Sequence, residues 1–485
     1  MKRNTHKRVR ERLVVVTGLG LLLAGCARNP ATGENELMLV SEGQEIQMGA
    51  AYDSQVVASI GLYGDPALQS YVADLGRKLA ATSERPNLPW TFRVVDDPAV
   101  NAFAIPGGHV YVTRGILAHM TSEAELATVM GHEVGHITAR HTAHQMSEQQ
   151  LAGLGLAIGS IASSEIAQYA GLASQALGVL FLKFSRDNEN QADMLGVRYS
   201  SRAKYDSRQM VTVMQMLDRL DTRSGGKLPE WLATHPNPGN RIEHINALLS
   251  QTQTDFASAT VNRDAYQRRL DGMMFGMNPR EGFFKGTEFY HPELKFRMAF
   301  PNGWQTANTK QTVGAQSPQQ DALIELTLAQ GSSADQAARS FLSQQGVQAG
   351  TLTRGNLNGL AASSAPFAAA TEQGTLRGNA VFVEYATHVY RLLAYGPEAT
   401  WANNQALAQR SLTSFGPLTD PAILNVQPQH LTVFTLDRRT TIAELARQRP
   451  SPAPAATLAL INQVEENTPL EPGRLVKWVV GQQLP

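Results

Sequence analysis

The residues best placed to do chemistry lie close together. Six of the twelve histidines fall between His109 and His144, a window in which even spacing would put about one. Within it stands His132-Glu133-Val134-Gly135-His136, preceded by Glu123-Ala124-Glu125-Leu126-Ala127-Thr128-Val129-Met130, mostly good helix formers. On a helix, residues four apart differ in direction by only about 40°, so the two imidazoles point the same way. One Zn2+ ion per chain, with nitrogen ligands at about 2.0–2.1 Å, can bridge that turn. Glu133 stands about 100° round, beside the metal rather than on it, where a carboxylate can hold a water and take its proton.

A catalytic zinc needs a third protein ligand and leaves a fourth position open. The extended pattern with a third histidine is absent, since Ala139 and Thr142 occupy the relevant positions. His141 lies five residues from His136, about 140° away on the helix, and so does not close the site. A carboxylate from a second helix is the other solution. The segment Ser185-Arg186-Asp187-Asn188-Glu189-Asn190-Gln191-Ala192-Asp193 offers Glu189 and Asp193 on one face at i and i+4. Glu189 can ligate, while Asp193 accepts the second ring N–H of a ligand histidine and fixes its tautomer. Alone, such a pair reads as a solvated helix face; some fifty residues after the zinc helix, it reads as part of the site.

The elements that must position these groups come from a chain of 485 residues, too long for one core. Its 42 basic and 42 acidic side chains balance only on paper. Residues 1–25 hold six basic side chains against Glu11, leaving 36 basic and 41 acidic in the rest, and that mildly acidic body gives no case for nucleic-acid binding. A single cysteine excludes intramolecular disulfides and multi-cysteine zinc sites. Leu13 to Ala24 is apolar but shorter than the roughly 20 residues of a membrane span. With the basic stretch before it, this is a secretory signal. It closes on Leu23-Ala24-Gly25-Cys26, which resembles a bacterial lipobox, with lipid on the Cys26 thiol. Ala27 after the cysteine implies, by the same resemblance, the outer membrane over the inner one. The expected location is the bacterial periplasm, with a lipid anchor to the membrane.

The expected fold class is α+β multidomain. Asn29 to Asn35 reads as a short tether. Residues 26–255 form a mostly helical zinc metallopeptidase domain with a small edge sheet, with strands near Trp90–Val95 and His109–Thr113. Residues 256–280 read as a linker or a crossing helix. Residues 281–420 form an α+β accessory domain with strands at Leu294–Phe300, Leu323–Leu328 and Leu376–Tyr385 and helices at Ala334–Gln345 and Thr400–Ser414. Residues 429–485 form a small strand–helix–helix–strand unit. Residues 149–182, rich in Gly, Ala and Leu with Glu165 as the only charge, read as a buried helix pair or a mobile lid rather than a membrane hairpin.

These motifs together resemble the membrane-associated gluzincins, the bacterial HtpX-like and BepA-like peptidases of the M48 type related to the CaaX prenyl proteases. The matching residues are His132 to His136, Arg186…Glu189…Asp193, Thr234-His235-Pro236…Arg241-Ile242, and Asn101-Ala102-Phe103-Ala104-Ile105-Pro106-Gly107-Gly108 followed by Val110-Tyr111-Val112. The resemblance implies zinc on His132, His136 and Glu189, Glu133 as general base and Asp193 behind the ligands. It places His235 near the metal, to stabilise the tetrahedral oxyanion or to occupy the open position at rest; a turn histidine before proline is the other reading. Gly108, Val110 and Tyr111 suggest a strand edge that pairs with extended substrate, an internal strand being the alternative.

Phe300-Pro301-Asn302-Gly303-Trp304 faintly resembles PsbP-like or DcrB-like exported domains, with Trp304 in a core or surface role. The tail follows a LysM-like order through Leu431-Thr432-Val433-Phe434, Thr441-Ile442-Ala443-Glu444-Leu445-Ala446, Leu460-Ile461-Asn462 and Pro472-Gly473-Arg474-Leu475-Val476. That order implies contact with peptidoglycan, or else a structural cap. The function expected is a zinc endopeptidase acting on unfolded or misassembled envelope polypeptides; the alternative is a non-catalytic, chaperone-like lipoprotein that binds envelope polypeptide and glycan.

Overall fold

The computed structural model describes residues 26–153, 183–223, 231, 234–235, 238–252, 254–371 and 374–483. The signal segment 1–25, and all but a few residues of the Gly/Ala/Leu-rich stretch 149–182, lie outside them. No helix among the described residues is long and apolar enough to cross a membrane. The chain divides into two compact units, Met1–Phe275 with His430–Val480, and Gly276–Gln429 with Gly481–Pro485.

The first unit opens with β1 (Cys26–Arg28) paired antiparallel to β2 (Asn35–Leu37). The stretch expected to be a tether is therefore the turn of a hairpin, and Asn29 is fully buried. Helix α1 (Glu42–Ile60) starts at Ser41, which forms a capping box with Gln44, and α2 (Pro66–Ala80) starts at Asp65 with proline in its first turn. A three-stranded sheet follows, from β3 (Thr91–Val95), β4 (Ala102–Ile105) and β5 (His109–Thr113), in the order β3-β5-β4. Strand β5 runs parallel to β3 and antiparallel to β4.

The helices then come in series: α3 (Arg114–His119), α4 (Glu123–Thr138), α5 (His141–Gly153), α6 (Arg186–Arg202), α7 (Gln209–Arg223), α8 (Pro238–Gln251) and α9 (Arg263–Arg269). Strand β6 (Met274–Phe275) ends this part. The stretch read as a linker or a crossing helix contains α9, whose Tyr266 is fully buried, as is Leu270 just beyond it.

In the second unit, β7 (Phe283–Lys285), β8 (Glu288–His291) and β9 (Phe296–Ala299) form a small antiparallel sheet. Strands β10 (Gln305–Asn308), β11 (Thr312–Gln316) and β12 (Leu323–Ala329), helix α10 (Ala334–Leu342), and strands β13 (Val347–Ala349), β14 (Thr353–Leu357), β15 (Leu360–Thr371), β16 (Gly374–Tyr385) and β17 (His388–Pro397) follow. The larger sheet has the order β10-β11-β12-β17-β16-β15-β13, with β14 also on β15. Period-two alternation gives it two apolar faces. Val381, Val383, Leu392 and Ala394 pack with α11 (Trp401–Thr413) and bury Trp304, while Ala380, Phe382, Val389 and Leu393 pack with α10. Strand β18 (Gly416–Pro417) joins β9, and α12 (Pro421–Leu424) closes the unit.

Residues 430–480 belong to the first unit. Strand β19 (Gln429–Thr435), helices α13 (Ile442–Gln448) and α14 (Ala455–Ile461) and strand β20 (Leu475–Val480) run in that order, with β19 between β20 and β6. Leu431, Ile442, Leu458, Ile461, Trp478 and Val479 share one apolar core with Leu126, Met130 and Val134 of α4.

Candidate metal centre

Helix α4 begins at Ser122, whose hydroxyl accepts from Glu125 N, and carries His132, Glu133 and His136, all buried, in its second half. Helix α6 begins at Ser185, whose hydroxyl accepts from Asn188 N, and carries the buried Glu189 and Asp193. Glycines let the two backbones touch. A Cβ on Gly131 would come within 3.1 Å of Gly196 O, and one on Gly196 within 3.0 Å of His132 N. Any larger residue at this crossing would push the carboxylates away from the imidazoles.

The ligand atoms converge. His132 Nε2 and His136 Nε2 are 3.0 Å apart, and the Glu189 oxygens lie 3.6 Å from each. His235 Nδ1 is 2.8 Å from Glu189 Oε1 and 3.4 Å from His132 Nε2. One atom from each of His132, His136, Glu189 and His235 lies within 4.8 Å of all the others. Tetrahedral ligands at about 2.0–2.1 Å from an ion stand roughly 3.3–3.4 Å apart, so the cluster matches the size of a zinc site. Its donors are three imidazoles and a carboxylate, a set suited to zinc. Glu133 Oε1 is buried without a hydrogen-bond partner, a costly arrangement unless something further enters the pocket.

Electrostatics favour metal binding at His132, His136 and Glu189. Burial holds His132 and His136 below the usual imidazole value, leaving them neutral at pH 7, the form that ligates. Burial pushes Glu133 up to about 7. Burial would also raise Glu189, but His235 and Arg241 outweigh it and keep the carboxylate ionised. At His235 burial is outweighed by Glu189 and Glu133, which hold the imidazole above its usual value.

Asp193 Oδ1 lies 3.0 Å from His132 Nδ1, the ring atom opposite the cluster. Arg241 of α8 donates to both Asp193 oxygens at 2.6 and 2.8 Å. Its Nη1 lies 2.9 Å from Glu189 Oε2 as an ion pair off hydrogen-bond geometry. The guanidinium sits 4.7 Å over Trp231, and Phe184 stacks on His136 at 4.2 Å. Sequence reasoning gave Arg241 no role. It stands 48 residues from Asp193, and no helical or strand period links such positions.

One sequence expectation is corrected. Strand β5 is the central strand, paired on both sides, and Val110 and Tyr111 are buried, with Tyr111 OH donating to Asp53 at 2.7 Å. Gly108 turns tightly into it at φ +105°, so Gly108, Val110 and Tyr111 do not present an edge. Among the described strands β4 ends the sheet on that side. His141, expected not to close the site, supplies no atom to the ligand group, and its Nδ1 lies 2.9 Å from His136 Nδ1. The chain leaves α4 at Arg140, in the left-handed region at φ +61°, so helical angles do not extend to residue 141. Cys26 begins β1, its backbone opposite Leu37.

Residues 66–249 match the model of peptidase family M48. The chain is 33% identical over 245 residues to the beta-barrel assembly-enhancing protease of Escherichia coli (strain K12), covering 47% of this chain and 50% of that protein. It is 38% identical over 190 residues to the mitochondrial metalloendopeptidase OMA1 of Arabidopsis thaliana, covering 39% and 37%. It thus spans half or less of the length of these relatives. The solution structure of PsbP from Synechocystis sp. PCC 6803 is similar to 28% of the chain at 13% identity, with a TM-score of 0.24, too low to carry an argument about fold.

Proposed function

We propose that this protein, whose residues 66–249 match the model of peptidase family M48, is a zinc endopeptidase of the bacterial envelope that cleaves misfolded or misassembled polypeptides. The observation that carries the reading is the convergence of His132, His136, Glu189 and His235 beside the unpartnered, buried Glu133 Oε1. Bound zinc supplies a Lewis acid that activates water and polarises the scissile carbonyl. Glu133 Oε1 takes the water proton and returns it to the departing amine. Asp193 holds His132 in the Nδ1–H tautomer, and Arg241 holds Asp193. His235, whose Nδ1 lies 2.8 Å from Glu189 Oε1, would help hold the ion as the fourth residue of the group.

Extended substrate pairs with β4 rather than β5. Thr113 N donates to Asn101 O at 3.1 Å, and antiparallel pairs alternate, so the N–H groups of Ala102 and Ala104 are directed away from β5. The envelope role and the lipid on Cys26 are supported by the Leu23-Ala24-Gly25-Cys26 sequence and by the names of the bacterial relatives. The βααβ order of the tail supports peptidoglycan as a further partner, tested by cosedimentation of the intact protein with sacculi.

Two measurements test the enzyme reading together. The purified protein holds near-stoichiometric zinc, and Glu133→Gln keeps that zinc while casein cleavage falls by about 10²–10⁴. Equal cleavage by the variant, or cleavage by zinc-free protein, removes the reading.

A further inference from the structure

A line of buried polar groups leads from the metal centre to the N-terminal hairpin. His136 Nδ1 faces His141 Nδ1 at 2.9 Å, and His141 Nε2 faces Gln191 Oε1 at 2.7 Å. Asn29 Nδ2 reaches Gln191 Oε1 at 3.4 Å, Ala139 O at 3.2 Å and Glu36 Oε1 at 2.8 Å. Asn29 Oδ1 accepts from Ala31 N and Thr32 N. Asn29 is fully buried, and His141 is 2% exposed.

Hydrogen positions along this line follow from one end. A neutral His136 that ligates through Nε2 carries its proton on Nδ1 and must donate it. The acceptor in reach is His141 Nδ1, so His141 carries its own proton on Nε2. That proton goes to Gln191, which must present its carbonyl oxygen. The amide of Asn29, donating to the same oxygen, leaves Gln191 no reason to flip. Each group thus has one role, and the two ligand histidines are backed differently: His132 by the Asp193 carboxylate, His136 by a neutral imidazole.

The backbone holds His141 in place. Arg140 is fixed in its left-handed conformation by donation to Val40 O at 2.6 Å and to Glu45 Oε2 at 3.0 Å, and Arg85 donates to Ile137 O at 2.8 Å at the same end of α4. His141 has no ligand atom in the convergent group; its action is on His136.

We propose that His141 is a positioning residue for the metal ligand His136, and that Gln191 and Asn29 extend its hold so that the N-terminal hairpin is part of the metal centre. The proposal rests on the zinc reading above. It assigns work to a residue outside the His132–His136 motif and to one that precedes the peptidase domain by nearly forty residues.

The test is zinc affinity, measured by competition with a chromophoric chelator on the full-length protein, together with the visible spectrum of the cobalt-substituted form. Removing a partner behind a ligand typically costs 10–100-fold in metal affinity or activity. His141→Phe keeps the ring volume, and its zinc affinity falls by about 10–100-fold with a shifted cobalt spectrum. His141→Asn keeps an acceptor near the Nδ1 position and recovers part of the loss. Gln191→Leu and Asn29→Ala, which leave His141 in place, give smaller losses in that order, and they decide the matter if His141→Phe fails to fold. Folded variants with wild-type affinity and spectrum overturn the proposal. A wild-type protein that binds no zinc in the same titration takes down the metal reading, and this proposal with it.

Discussion

Arg241 holds Asp193 by both carboxylate oxygens, at 2.6 and 2.8 Å, in a pocket where neither residue is exposed. The same guanidinium pairs with Glu189. One cation therefore serves two buried acids, and removing it leaves Asp193 without its cation and Glu189 with His235 alone. Arg241→Met is expected to destabilise the metal-free protein by about 3–5 kcal/mol. Saturating zinc should recover part of that loss, because a bound cation compensates Glu189. Urea denaturation with and without chelator measures both; equal stability of variant and wild type without metal removes Arg241 from this role.

The edge of the small sheet gives a second prediction. Proline at residue 104 removes an N–H directed away from β5 and leaves the β4–β5 hydrogen bonds intact. Ala104→Pro should lower kcat/KM for an unfolded substrate by up to about tenfold, the worth of one backbone hydrogen bond, with zinc content unchanged. Tyr111→Phe, in the central strand, should change stability through Asp53 and leave cleavage of bound substrate alone. The reverse pattern would return substrate binding to β5.

A third prediction concerns pH. Lys477 is fully buried, and its Nζ donates to Ala118 O at 2.6 Å and Met120 O at 2.5 Å. Burial is the main cause that pushes it down to about 7; Glu125 opposes this, and Arg263 adds to it. Nearby His119 is itself held down to about 4 by burial, so it stays neutral through the relevant range. The folded value lies below the unfolded one, so between about 7 and 10.5 the unfolded chain binds more protons. Stability then rises with pH across that window and is flat below it. The difference in urea midpoint between wild type and Lys477→Met should grow as pH rises from 7 to 9.5. A difference independent of pH would show that Lys477 keeps an ordinary affinity for its proton.

A fourth prediction follows from the tail. Gln463 Nε2 donates to His119 O at 3.0 Å and to Glu125 Oε2 at 2.8 Å, beside the contacts of Lys477. Ending the chain after residue 428 removes these bonds and opens the core around Leu126 and Met130. The truncated protein should lose its cooperative thermal transition and its zinc together. A truncated protein that keeps both would mark the tail as an independent module.

What the sequence made legible was local. His132 and His136, like Glu189 and Asp193, are related by one helical turn, and such spacing survives without knowledge of the fold. The strands of the second unit were likewise written in alternation, as at Phe296-Arg297-Met298. What stayed hidden depended on pairing at a distance. Which of β4 and β5 ends the sheet is decided by where β3 joins, and nothing between residues 102 and 113 records it. The contact of His141 with His136 could not be read from helical spacing, because one left-handed residue, Arg140, resets the angle. The tail reads as a separate βααβ unit, since its pattern specifies its own strands and not the helix they cover.

That last feature reaches into the life of the chain before it is finished. Ribosomes make proteins from the N-terminus, so the His132–His136 turn exists some 340 residues before Trp478 and Val479 arrive to complete its surroundings. A nascent or interrupted chain holds the ligand motif without the packed support beneath α4. The order of synthesis thereby sets the order of packing: the core around Leu126 and Met130 closes only once Trp478 and Val479 have been made.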